Sequence, residues 1–66
     1  MNLIEVIQSE CNRVRVAIPH YEELGPTGQF GAEALKRAVK EGEESIASGD
    51  VVRMVEALAS LRDCKD

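Results

Sequence analysis

The stretch LGPTGQFG, residues 24–31, concentrates three glycines and a proline in eight positions of a chain whose remaining residues follow a helical period. Gly25-Pro26 ends any helix that reaches it, because glycine offers the left-handed residue that closes a helix and proline forbids continuation. A second break, SGD at 48–50, does the same with fewer residues: Gly49 closes one helix and Asp50 caps the next. These two joints divide the chain into three helical segments. They predict an all-α fold of three helices near residues 2–24, 28–48 and 51–63, a long first helix followed by an antiparallel helical hairpin, in one small domain spanning 1–66.

Within the first segment Ile4, Ile7, Cys11, Val14, Ile18 and Tyr21 recur three and four apart, the stripe of an amphipathic helix. Pro19 falls inside that stripe. It removes one hydrogen bond, yet Tyr21 and Leu24 keep the period, so a kink is expected there in preference to a stop. In the second segment Thr27 is placed to cap the helix by accepting from the N–H of Gln29 or Phe30. Leu35, Val39, Gly42 and Ile46 then form an apolar line with Ala34 and Ala38 beside it. The third segment is expected to bury Val51, Val55 and Leu58, with Met54 and Leu61 alongside.

A chain of 66 residues with one Phe, one Tyr and no Trp builds a thin core. Domains this small bury only about 60% of their unfolded surface. Two cysteines, Cys11 and Cys64, are too few for a disulfide scaffold, and no CxxC pair or histidine cluster suggests a metal. Self-association is the remaining stabiliser, and a compact homo-oligomer, tetramer or dimer, is expected. No run approaches the length of a membrane span and no apolar leader begins the chain, so an intracellular location with reduced thiols is expected.

The net charge of −4 is spread evenly along the chain. Binding of long DNA or RNA needs a basic face to neutralise phosphates, which this composition lacks. A small anion needs only two or three local bases. Catalytic constellations are missing: the single His20 has no evident substrate-facing partner, Cys11 lies on the apolar stripe, and the pairs Glu22–Glu23 and Glu43–Glu44 point apart as a solvated face does. The reading is of a non-enzyme with no cofactor and no metal.

The central joint is the one candidate ligand site. A helix N-terminus exposes N–H groups, and glycines admit a ligand close to the backbone. Here Gly28 and Gln29 would offer N–H groups to a phosphate and Thr27 or Gln29 would fix it. Tyr21 or Phe30 would stack on a base, and Lys36 would complete the charge near a subunit boundary. The plainer alternative is that Gly25-Pro26 is a helix stop, that Gly28 and Gly31 permit close helix packing, and that Glu33–Arg37 and Lys40–Glu44 are ordinary i,i+4 pairs.

The stretches YEELGPTGQFGA (21–32) and IASGDVVRM (46–54), within a span covering 20–64, resemble a widespread group of very short proteins from tailed phages and prophages. Pro19 has no counterpart in that pattern. The resemblance implies a phage accessory product in the cytoplasm of a bacterial host, acting by stoichiometric binding. One class of such products is the sponge, an oligomer that sequesters the cyclic nucleotide signals of anti-phage systems such as CBASS. It needs oligomerisation, a small-anion pocket and no catalysis, which matches the composition. The alternative is a small helical adaptor or inhibitor that binds a host protein through an apolar face, with no small-molecule ligand. A miniature enzyme that degrades the signal is a third reading.

Overall fold

A computed structural model describes residues 2–64 and contains three helices, α1 (Leu3–Glu22), α2 (Pro26–Ser48) and α3 (Val51–Asp63), with no strand among those residues. At about 1.5 Å per residue, α1 and α2 form a hairpin of roughly 30–35 Å. The molecule's longest extent is 36 Å. α3 has 13 residues and runs back along the hairpin beside the N-terminal part of α1. Its far end is located by Arg13, whose Nη2 donates to the carbonyl of Leu61 at 2.9 Å. The last two turns of α1 and the start of α2 therefore project beyond α3 as a two-helix tip.

Each boundary has a local cause. Asn2 caps α1, its side chain accepting from the N–H of Glu5 at 2.8 Å. Pro19 sits inside α1 without ending it, and the N–H of Glu23 still reaches the Pro19 carbonyl at 3.0 Å. The helix stops at Glu22, two residues short of the expected end, with Glu23 as C-cap. Gly25 is the N-cap of α2 and not the C′ residue of α1. Its φ of 77° and ψ of −151° form an extended, positive-φ conformation that only glycine adopts without strain. α2 starts at Pro26, where a missing N–H costs nothing. Thr27 is then the second helical residue, so it does not cap: no side chain caps α2. At the second joint the expectation holds. Gly49 takes the left-handed conformation at φ 71°, ψ 6°, and the Asp50 carboxylate accepts from Val52 and Arg53 N–H at 2.9 and 3.3 Å.

The core is Ile7, Cys11, Val14 and Ala17 from α1, Ala32, Leu35, Ala38 and Val39 from α2, and Met54, Ala57 and Leu61 from α3. Four of these eleven are alanines, so the layers are thin and the helices lie close. Gly42 marks the tightest three-way approach: a Cβ there would stand 2.8 Å from Cys11 Sγ and 3.1 Å from Leu61 Cδ1. The expected stripe of α1 holds except at its start, where Ile4 is 40% exposed. On α3 the expectation fails by rotation. Met54 and Leu61 are buried but Val51 and Val55 are 62% and 54% exposed, and Leu58 is half-buried. An apolar arc wider than one face fits more than one rotation, and the alanine at 57 sets the one adopted by allowing the closest approach. Ala34, placed beside the apolar line of α2, is exposed.

Candidate functional site

The joint between α1 and α2 is a packed backbone crossing before it is anything else. A Cβ on Gly28 would overlap the carbonyl oxygen of Tyr21 and stand 2.6 Å from Leu24 Cβ. A Cβ on Gly31 would stand 2.6 Å from Cδ2 and 2.9 Å from Cε2 of the Tyr21 ring, so the edge of that ring lies against the glycine. Gly28 and Gly31 thus let α2 leave the turn hard against the last turn of α1. Tyr21 is half-buried in this contact.

The residues expected to form an anion pocket divide between two faces. The N–H of Gln29 donates to Gly25 O at 2.9 Å, the first bond of α2. With Pro26 lacking a donor, only the N–H groups of Thr27 and Gly28 remain at the helix start. Lys36 faces α1, where its ammonium meets Glu22 at 3.1 Å and Glu33 at 3.6 Å. The hydrogen bond from Lys36 to the Glu22 carboxylate and the nearby charges of Glu22 and Glu33 raise the lysine above its ordinary pKa. Phe30 lies on the opposite, outer side of α2, 78% exposed. Lys36 and Phe30 therefore do not converge on one ligand.

Arg37, and not Lys36, lies beside Phe30. It follows Phe30 by seven residues, shares its stripe, and lines with Pro26, Gln29, Phe30 and Glu33 a shallow depression of about 660 Å³. The expected i,i+4 partner, Glu33, turns to Lys36 instead, and Arg37 makes no ion pair among the described residues. Lys40–Glu44 is likewise unformed, and of the two adjacent acids Glu43 crosses to Arg15 at 2.9 Å. The seven-residue spacing from Phe30 to Arg37 was the signal that could have found this stripe. Leu24, 69% exposed in the turn, adds a second large apolar side chain at the tip.

Elsewhere the chemistry is quiet. Burial raises the Cys11 thiol above its usual pKa, and its Sγ donates to the Val39 carbonyl at 3.8 Å, the behaviour of a small core hydrophobe. Beside it an open cleft of about 460 Å³ runs between α1 and α2, lined in part by the Arg15–Glu43 pair. Among the described residues no group of three His, Cys, Asp or Glu side chains could hold a metal ion, and no helix is long and apolar enough to cross a membrane. No protein family, curated protein or solved structure matches the chain significantly.

Proposed function

We propose that the chain is a non-catalytic binding module whose working surface is the hairpin tip, where Leu24 and Phe30 present an apolar contact to a protein partner. The observation that carries this reading is the pairing of close helix packing with exposed apolar side chains. Phe30 and Leu24 are the most exposed large apolar side chains described, together with Val16, and they flank the close crossing of Gly28 and Gly31 against Tyr21. A few buried anchor residues carry most of the energy of a protein interface, and presenting them on an ordered backbone lowers the entropy lost when they dock. The resemblance of residues 21–32 and 46–54 to short phage proteins supports a stoichiometric adaptor or inhibitor acting on a bacterial host protein.

The sponge for cyclic nucleotides is the second reading, favoured by one observation. Arg37 has no ion-pair partner among the described residues and lies beside the exposed ring of Phe30, an arrangement suited to a phosphate and a stacked base. Against it stand the acids Glu22, Glu23 and Glu33 around the joint and the engagement of Lys36 by two of them.

A photoreactive phenylalanine analogue at position 30, expressed in the host during infection, tests the protein-binding reading. The expected result is one dominant adduct of this chain with a host protein, lost in Leu24→Ala and not formed from position 44 on the same helix. Equal, diffuse labelling from positions 30 and 44 would count against a dedicated tip.

A further inference from the structure

The two joints between helices are built differently. At the α1–α2 joint a Cβ on Gly28 would overlap the Tyr21 carbonyl oxygen, so that joint is wedged. At the α2–α3 joint a Cβ on Gly49 would meet nothing within 4 Å, and Gly49 takes a left-handed φ of 71°. Gly49 and Asp50 are the whole connection between the two helices. A short connection without packing around it is where a chain absorbs the dihedral change of a hinge. α3 itself is short. At 13 residues it has the length at which a helix is marginal on its own in water, so it depends on docking. Its share of the buried core is Met54, Ala57 and Leu61.

The far end of α3 is held by charge. Arg13 Nη2 donates to the Leu61 carbonyl at 2.9 Å, in the last turn of α3. Glu10 Oε2 accepts from Arg13 Nε at 2.9 Å and fixes the guanidinium in that pose, while Glu10 Oε1 stands 3.9 Å from Nε of Arg62. One carboxylate on α1 thus joins the arginine that reaches α3 to an arginine that α3 carries. The side chains of Glu10 and Arg13 are 21% and 33% exposed, so water and salt screen them less than a surface pair.

We propose that α3 is a lid on the α1–α2 hairpin, hinged at Gly49–Asp50 and latched at its other end by Glu10 through Arg13. With the latch closed, Leu61 meets Cys11 and Ile7 over Gly42, and this apolar crossing is buried. With the latch open, α3 leaves the hairpin as one unit and bares its side of that crossing. Elements with few buried contacts open in this way at a lower free energy than the rest of a fold. Glu10 is a positioning residue, because it holds α3 through the Arg13 guanidinium. The tip at Leu24 and Phe30 lies beyond the end of α3, so the lid does not rest on the tip reading.

Native-state amide hydrogen exchange of the full chain, followed by NMR, tests the lid with Glu10→Gln, Arg13→Met and the double variant. The hydrogen-bonded amides of α3 are expected to exchange through one shared opening, faster than the amides of residues 32–39 in α2. Glu10→Gln is expected to speed the α3 amides about tenfold, the lower end of what one charge-assisted hydrogen bond contributes, and to leave those of 32–39 within about twofold. The double variant is expected to match Arg13→Met, because two residues that act as one latch are not additive. Three results would each overturn the proposal: one common exchange rate for α3 and residues 32–39, α3 amides unmoved by Glu10→Gln, or a Glu10→Gln effect that persists in full beside Arg13→Met. Glu10→Gln alone decides the matter if Arg13→Met fails to fold.

Discussion

Leu61→Ala is expected to remove about 3–5 kcal/mol of stability, the upper part of the range for deleting a buried leucine. The side chain is fully buried, and the position opposite it is Gly42, which has no atoms to move into the space left behind. Neighbouring Cys11 and Ile7 are held by the same crossing, so the cavity stays open. A chain of 66 residues has a total stability of roughly 3–10 kcal/mol, so this one change consumes about a third of it or more. Urea unfolding followed by far-ultraviolet circular dichroism, at one fixed protein concentration, checks it. A loss below about 1 kcal/mol, less than the transfer of the deleted methyl groups alone, would mean that the three-helix crossing at Gly42 is not packed as described.

Gly28→Ala has the second largest expected effect, and its sign runs against propensity. Replacing a helical glycine by alanine favours the helix by about 1 kcal/mol. At Gly28 the new methyl meets the Tyr21 carbonyl oxygen and Leu24 Cβ, both on or beside backbone that cannot rotate away. Relief requires α2 to move off α1, and overpacking of this kind costs about 1–3 kcal/mol or more. Set against the helix gain, that leaves a net loss of up to about 2 kcal/mol. Gly31→Ala is the internal control: its methyl meets the Tyr21 ring, which can swing, so its loss is smaller. Thermal unfolding of the two variants side by side gives the comparison. Equal or raised stability in Gly28→Ala would show that the joint is looser than the structure has it.

The difference between these two glycines shows how far the residues could be read in advance. The three helices and both joints were legible because each rests on local chemistry, namely a period of 3.6, Gly-Pro at 25–26 and Gly-Asp at 49–50. The exact start of α2 was not. Thr27 and Gly25 both make acceptable N-caps, and the choice depends on how closely α2 approaches Tyr21, a tertiary fact. The rotation of α3 was hidden for a related reason. Its apolar arc exceeds a single face, so periodicity alone could not tell Val51 and Val55 from Met54 and Ala57. Lys36 was assigned to a ligand by its nearness in sequence to the joint. Its partner Glu22 lies fourteen residues away on another helix, and only the crossing brings them together. Arg37, one position on, escapes that pairing by about 100° of helix rotation.

The central claim is that the GPTGQFG joint exists to lock α1 against α2 and to hold a protein-binding tip, and not to cradle a nucleotide. Titrating the isotope-labelled chain with cyclic di- and trinucleotides, and following the amide resonances of residues 24–37 by NMR, puts that claim to the question directly. The account predicts that the amides of Thr27 and Gly28 and the ring of Phe30 keep their positions at millimolar nucleotide. Saturable shifts at Thr27, Gly28 and Phe30 at micromolar nucleotide, abolished by Arg37→Ala, would contradict it and establish the sponge.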